Sequence, residues 1–273
     1  YGTPIRNLSI ALDGKFAVYT AGADDSTSLW YRSLRTSEVR PLPGTRGATI
    51  PRVSPDGSEV SFLATGQVML VPTDGGEPRA LTTAVNAALM SWISPSQLLV
   101  VEEDGYRIKW IDPGSGVSRT RDVGRCAIGS YQPSLGQLIC SFNGTAQVMN
   151  LETGEVWPIR AAQLQAHPGN PVAGTSSQVV DREYLLSMTT EGLLSGARYD
   201  SEKHLAYRWV SLLAGVRREP LGSSQFDLSA DGTLLYAPGV DASIGRMIRL
   251  HAGRAPQTLP LEAGDFQRYD LSQ

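Results

Sequence analysis

Histidine, carboxylate and serine side chains are the groups of this sequence that could bind a metal ion or carry out acid–base or nucleophilic chemistry. The three histidines, His167, His204 and His251, are far apart, and none has a second ligand at the spacing of a zinc site. No Gly-x-Ser-x-Gly motif marks a nucleophilic serine. We therefore predict no catalytic residues, no metal site and no cofactor.

Three aspartates recur in one setting and could be taken for an acid–base series. Asp13, Asp56 and Asp231 each stand directly before a glycine. An aspartate in a tight turn accepts hydrogen bonds from backbone amides, so we predict a structural role for all three. Asp24 and Asp25 lack the spaced ligands and glycine of a calcium loop and are expected to lie in a solvated loop.

These aspartates belong to a repeated pattern of short strands and turns. Its clearest copy spans residues 49–82, with Ser-Pro-Asp-Gly at 54–57, alternating apolar residues at Val60 and Phe62, and Asp-Gly-Gly at 74–76. Proline and glycine favour the turns, and the alternation is typical of a strand with one buried face. This unit is therefore predicted to form four short strands.

Further copies of the unit follow at a period of about 40 residues. The predicted third strands are centred on Trp30, Met69, Lys109, Met149, Trp209 and Met247. The longer step from Met149 to Trp209 indicates an insertion in that copy. Trp30, Trp110 and Trp209 lie in these third strands and are expected to pack between neighbouring units.

A period of this length with four strands per unit is typical of a β-propeller. The sequence therefore predicts an all-β fold, a six-bladed β-propeller of four-stranded antiparallel blades, as one domain over residues 1–273. The approximate blades are 1–45, 46–84, 85–123, 124–165, 166–221 and 222–266. Residues 267–273 are expected to begin a further repeat, with a strand that closes the ring as the alternative.

The first strand of each unit should line the central channel of such a ring. Trp92 stands two residues before Ser94 in its predicted first strand, as Arg52 stands two residues before Ser54, and Tyr131 lies in the first strand of the next unit. Arg52, Trp92 and Tyr131 are therefore the candidates for ligand binding at the channel mouth. Packing in the core or the channel wall is the competing interpretation, and it is the one that we favour.

The repeat resembles a known family. Residues 49–82 are similar to the TolB-type repeat, whose signature is Ser-Pro-Asp-Gly, an apolar strand with Phe, and a Gly-Gly turn followed by Leu-Thr; residues 5–20 and 224–236 resemble it too. Residues 42–57 resemble the propeller regions that follow the kinase and membrane segments of bacterial serine/threonine protein kinases. The resemblance implies a WD-like, non-catalytic sensor propeller outside the cytoplasm, although this chain contains no kinase motif.

Two other classes remain open from the sequence. One is a gating or accessory propeller of a prolyl-oligopeptidase-like hydrolase, and the other is a sugar-active propeller enzyme. The adjoining domains would separate these classes from a sensor.

Composition limits the partners. Lys and Arg number 24 and Asp and Glu 27, giving a net charge of −3, whereas nucleic-acid binding needs clustered basic residues. No apolar run is long enough for a membrane span. We expect a protein, peptide or glycan ligand at the propeller face or channel. The chain begins at Tyr1 without a signal-peptide pattern, so we expect an excised domain or a mature secreted protein. The resemblance to kinase-associated propellers implies a location in the periplasm or at the cell surface.

The two cysteines, Cys126 and Cys140, flank one predicted hairpin. If Tyr131 pairs near Leu138, strand alternation places the two cysteines on opposite faces. We therefore favour two buried free thiols over a disulfide, which would require a bulge in the first strand.

Overall fold

A computed structural model describes the strands and most of the connections between them. The described residues are 7–22, 26–84, 86–87, 89–102, 105–123, 127–132, 135–142, 145–161, 177–180, 183–188, 192–217, 225–239, 248–250 and 257–258. Within these ranges the regular elements are β-strands, which form six sheets.

The first three sheets each contain four antiparallel strands in chain order. Sheet 1 consists of β1 (Leu8–Ile10), β2 (Phe16–Ala21), β3 (Ser28–Ser33) and β4 (Val39–Pro41). Sheet 2 consists of β5 (Thr49–Val53), β6 (Glu59–Ala64), β7 (Gln67–Pro72) and β8 (Arg79–Thr83). Sheet 3 consists of β9 (Leu89–Ser94), β10 (Gln97–Glu102), β11 (Arg107–Ile111) and β12 (Ser118–Asp122).

The second half of the chain forms the other three sheets. Sheet 4 consists of β13 (Ala127–Gln132), β14 (Gln137–Phe142), β15 (Thr145–Asn150) and β16 (Val156–Pro158). Sheet 5 consists of β17 (Arg160–Ala161), β18 (Ser177–Val180), β19 (Tyr184–Met188), β20 (Leu194–Asp200) and β21 (Leu205–Leu213), in the order β17-β21-β20-β19-β18. Sheet 6 consists of β22 (Phe226–Leu228), β23 (Leu234–Tyr236), β24 (Ile248–Leu250) and β25 (Gln257–Thr258).

The sheets are arranged around a channel with one strand of each on the inside. Strand β1 contacts β5, β5 contacts β9, β9 contacts β13, and β13 contacts β18. Strand β22 of sheet 6 contacts β1, which joins the last sheet to the first. The prediction of an all-β propeller built from four-stranded antiparallel blades is therefore confirmed.

Sheet 5 departs from the predicted pattern because it has a fifth, parallel strand. Strand β17 directly follows sheet 4 and pairs in parallel with the start of β21, Arg160 opposite Leu205. The Arg160 amide donates to the His204 carbonyl (2.8 Å), and its guanidinium donates to the Lys203 carbonyl (3.1 Å). This segment thus satisfies backbone groups on the outer edge of β21 that a four-stranded sheet would leave open.

Apolar clusters fill the spaces between successive sheets. Val18 and Leu29 of sheet 1 pack with Phe62 of sheet 2, and corresponding clusters join each following pair. The last cluster joins Leu235 of sheet 6 to Tyr19 of sheet 1. Each sheet therefore buries both faces, which explains strands that are apolar throughout, such as β10.

The third-strand tryptophans lie in these clusters, as predicted. Trp30 packs at the interface of sheets 6 and 1, Trp110 between sheets 3 and 4, and Trp209 between sheets 4 and 5.

The turn aspartates also have the predicted structural role. The Asp56 carboxylate accepts hydrogen bonds from the Ser54 hydroxyl (2.6 Å) and the Ser58 amide (3.1 Å), and these bonds lower the Asp56 pKa. Asp231 accepts from the Thr233 amide (3.0 Å), and Asp13 accepts from the Lys15 amide (3.0 Å).

The preference for free thiols is wrong at Cys140, which is disulfide-bonded. Cys126, the other cysteine of the chain, lies outside the described residues. Tyr131 does pair with Leu138, but the register shifts between Ala127 and Gly129. Simple alternation therefore fails at the start of β13, because a bulge reverses the faces of the residues beyond it.

One ion pair is buried between sheets 2 and 3. The Lys109 ammonium lies 2.7 Å from the Glu102 carboxylate, and the two side chains are 11% and 3% exposed. The same ammonium donates to the Thr83 carbonyl of sheet 2 (2.7 Å).

We predict that Glu102→Ala lowers the free energy of unfolding by about 3–5 kcal/mol, because it leaves the Lys109 charge buried without its carboxylate. Urea denaturation measures this loss. The matched control is Glu183→Ala, which removes an exposed ion pair with Arg198 and should cost no more than about 1 kcal/mol. Equal effects of the two substitutions would contradict the prediction.

Candidate functional site

The inner strands carry a common position whose side chains reach the neighbouring sheet. The turns after β1, β5 and β22 are closed by hydrogen bonds to the carbonyls of Ala11, Ser54 and Ser229. The residues two positions before these carbonyls are Ser9, Arg52 and Asp227. Trp92 likewise stands two positions before Ser94. We call this the wall position.

Hydrogen bonds from the wall position connect successive inner strands. Asp227 accepts from the Ile10 amide (3.0 Å), which joins sheet 6 to sheet 1. The Ser9 hydroxyl accepts from the Val53 amide (3.2 Å), which joins sheet 1 to sheet 2. The Trp92 indole donates to the Arg52 carbonyl (3.1 Å), which joins sheet 3 to sheet 2.

Arg52 has several partners at this wall. Its guanidinium donates to the carbonyls of Met90 (3.0 Å) and Pro51 (2.8 Å). Burial lowers its pKa, and the negative charge of Asp227 opposes that shift. Arg52 therefore stabilises the wall through hydrogen bonds from its guanidinium to backbone carbonyls. The carboxylate of Asp227, two sheets away in the ring, favours the charged form of Arg52.

The three residues predicted at the channel mouth do not form one group. Arg52 and Trp92 are joined directly by their hydrogen bond, and Trp92, which is 7% exposed, belongs to the core between sheets 2 and 3. Tyr131 packs at the next interface, between sheets 3 and 4. Their role in ligand binding stays a prediction.

Sequence reasoning missed Ser9 and Asp227 at the wall position. Their position relative to Asp-Gly was the available signal, because Ser9 precedes Asp13-Gly14 as Arg52 precedes Asp56-Gly57.

A cleft of about 600 Å³ lies beside Tyr131, between sheets 3 and 4. Its lining includes Gln97, Trp110, Arg119, Arg121, Tyr131 and Glu152. In an antiparallel blade the first and third turns lie on the same face. Gln97, at the start of β10, and Glu152, in the turn after β15, therefore border the cleft from the same face of the ring. We call it the 3–4 cleft.

Arginine and aromatic side chains form much of this cleft. Arg121 donates to the carbonyls of Glu152 (2.7 Å) and Leu151 (3.4 Å), which ties β12 to the turn after β15. The Arg119 guanidinium lies over the Trp110 ring, 4.9 Å from its centroid. Burial raises the pKa of Tyr131, so its hydroxyl keeps its proton at neutral pH and can donate a hydrogen bond.

The described part of the chain contains no group of three or more His, Cys, Asp or Glu side chains that could hold a metal ion. His167 and His251 lie outside it. His204 stacks on Trp157 (centroids 5.0 Å apart), and its Nδ1 lies 3.4 Å from the Tyr199 hydroxyl. Burial and the charge of Arg160 lower the His204 pKa. Its contacts are thus those of a packed side chain.

Among the described residues, no helix has the length and apolar character needed to cross a membrane.

No protein-family model matches the sequence, and no curated protein matches it. Solved β-propellers do match the fold. The propeller domain of Cps50 (Swd1) from Myceliophteria thermophila is 12% identical with a TM-score of 0.62, over 96% of this chain and 88% of that one. The WD40 repeats of RRP9 are 15% identical with a TM-score of 0.57, over 96% and 82%. A chain of a nidogen–laminin complex is 13% identical with a TM-score of 0.55, over 75% and 79%.

These likenesses and the sheet arrangement define the fold as a WD40-like β-propeller. At such low identity they define the fold alone.

We predict that Asp227→Ala lowers the free energy of unfolding by about 1–3 kcal/mol, because the Ile10 amide loses its acceptor at the junction of sheets 6 and 1. Asp227→Asn keeps an acceptor oxygen and should lose less. Urea denaturation of both variants tests this order. The prediction fails if the two variants are equally stable.

Proposed function

We propose that this chain is a non-catalytic propeller that binds a protein partner through the 3–4 cleft. The observation that carries the proposal is the cleft wall, which includes Trp110, Tyr131 and Arg119, with Arg119 lying over the Trp110 ring. Tyrosine, tryptophan and arginine are the residue types most enriched at the energetic centres of protein interfaces.

The scaffold supports this role. Apolar clusters join the successive sheets of the ring, so each surface turn is held in place at both ends. Recognition residues are commonly displayed on turns that a rigid scaffold positions. Arg121 adds a local restraint, because its bonds to the carbonyls of Leu151 and Glu152 fix the two sides of the cleft relative to each other.

The channel mouth is the second candidate site, with Arg52 and Trp92 at its wall and Tyr131 at the adjoining interface. The 3–4 cleft is favoured because the Trp92 indole already donates to the Arg52 carbonyl, and the Arg52 guanidinium already donates to the Met90 carbonyl. The cleft, by contrast, offers open volume beside exposed arginines.

We also infer that the complete ring has six blades, with boundaries near those predicted from the repeat. Six sheets among the described residues and six apolar clusters between neighbouring sheets support this number.

We also propose that the propeller is located outside the cytoplasm. The disulfide at Cys140 supports this location, because disulfides persist in oxidising compartments. The narrower proposal, the sensor region of a receptor-like serine/threonine kinase, is supported only by the TolB-type resemblance. The domain order of the full-length gene product tests it. An adjoining α/β-hydrolase domain would make this a gating propeller instead.

Peptides selected on the wild-type domain from a displayed random library test the cleft as the binding site. We predict that Tyr131→Ala weakens their binding about tenfold or more, because it removes one aromatic wall. Fluorescence anisotropy gives the Kd, and a thermal melt shows that the variant is folded.

The matched control is Tyr184→Ala, which removes an exposed tyrosine under an arginine on sheet 5 and should leave the Kd unchanged. Peptides that bind equally to all three proteins would place recognition elsewhere and refute the proposed site.

Thiol labelling of the denatured, unreduced protein from its native cells tests the location. We predict no labelling, and about 2–4 kcal/mol lower stability for Cys140→Ser, because the native bond restricts the unfolded chain. Labelling of both cysteines would contradict an extracytoplasmic location.

A further inference from the structure

We propose that the segment bound in the 3–4 cleft is acidic and extended, with a carboxylate that pairs with Arg119. This inference rests on the proposed function and names the chemistry of its partner.

Where both residues of the pair are described, an arginine lies over an aromatic ring at Arg40, Arg119 and Arg198. The three differ in whether a carboxylate also contacts the guanidinium. Arg40 lies 4.4 Å from the Tyr31 centroid, and its Nε is 3.0 Å from the Glu38 carboxylate. Arg198 lies 4.7 Å from the Tyr184 centroid, and its guanidinium is 2.8 Å from the Glu183 carboxylate. Each of these two arginines therefore has a carboxylate from its own sheet.

Arg119 has the same stacked geometry on Trp110 but, among the described residues, no carboxylate partner. A guanidinium held on an aromatic face keeps its edge free for two parallel hydrogen bonds to a carboxylate. Stacking also fixes the side chain in advance, which reduces the entropy lost on binding. Arg40 and Arg198 pair with carboxylates of this chain. For Arg119, the carboxylate would come from a ligand.

The charge of the cleft agrees with this assignment. The chain carries a net charge of −3, whereas the described residues that line the cleft include Arg119, Arg121 and one acidic residue, Glu152. The carbonyls of Leu151 and Glu152 already hold Arg121. Arg119 is therefore the arginine that is available to an incoming anion.

The edge of β12 explains why the segment should be extended. This strand is the outermost of sheet 3, all five of its residues are exposed, and within the described ranges it pairs with β11 alone. Arg119, Thr120 and Arg121 all line the cleft although alternate side chains point to opposite faces. One side of the cleft is thus formed by this edge strand, whose free backbone groups can pair with an added strand.

The peptides selected above on the wild-type domain test this inference. We expect them to be enriched in Asp and Glu, and their Kd to rise about tenfold or more in Arg119→Ala. The tightest peptide, synthesised with Gln and Asn in place of Glu and Asp, should bind with a similar loss. Binding of the original peptide should also weaken as NaCl is added.

Two matched variants separate stacking from charge. Arg198→Ala removes the equivalent stacked arginine of sheet 5 and should leave the Kd unchanged. Arg119→Lys keeps the charge but not the planar fork, so it should recover only part of the affinity.

Selected peptides that lose affinity in Tyr131→Ala but carry no acidic bias would overturn this inference and leave the proposed site standing. The same holds for acidic peptides that bind Arg119→Ala as tightly as wild type while still depending on Tyr131. Peptides that are insensitive to both substitutions would overturn the proposed function as well.

Discussion

The junction between the last sheet and the first is the contact on which the whole ring depends. Asp227 accepts a hydrogen bond from the amide of Ile10, a residue 217 positions away in the chain, and Leu235 packs in the same interface as Tyr19. An open row of sheets would expose an apolar face at each end. Closure at this junction allows every sheet to bury both faces, and the fixed turns around the cleft are a consequence of that rigidity.

Much of the fold could be predicted because several local sequence signals in each repeat specify the same structure. Turn residues such as Asp56, strand alternation around Phe62 and tryptophans in third strands each specify the same four-stranded unit. The structure places Asp56 as a turn acceptor and Trp110 between sheets, as expected. The pairing of Tyr131 with Leu138 also followed from the turn between them.

The features that sequence reasoning missed are those in which one copy departs from the repeat. The parallel strand β17 depends on the outer edge of a neighbouring sheet, and no periodic pattern encodes such an edge. The bulge near Gly129 moves the residues before it to the opposite face of the strand. The apolar pattern does not reveal this change, and for that reason strand alternation did not predict the disulfide at Cys140. The candidate site combines residues of sheets 3 and 4 whose proximity depends on packing between blades. Tyr131 was selected from the sequence, but its neighbours Arg119 and Trp110 were not connected with it.

The wall position shows how this propeller separates structure from recognition. The residues shown to bond from it are Ser9, Arg52, Trp92 and Asp227. Each of these four side chains forms a hydrogen bond with the backbone of a neighbouring sheet. These four side chains therefore help to hold the ring together. Elsewhere in the ring, Arg40 of β4 and Arg198 of β20 each lie over an aromatic ring and form an ion pair with a nearby glutamate. Among the described residues, Arg119 has an aromatic ring but no carboxylate as partner, and it lines the 3–4 cleft. A stacked cation beside open volume and a free strand edge is better suited to an anionic partner than to stabilising its own blade.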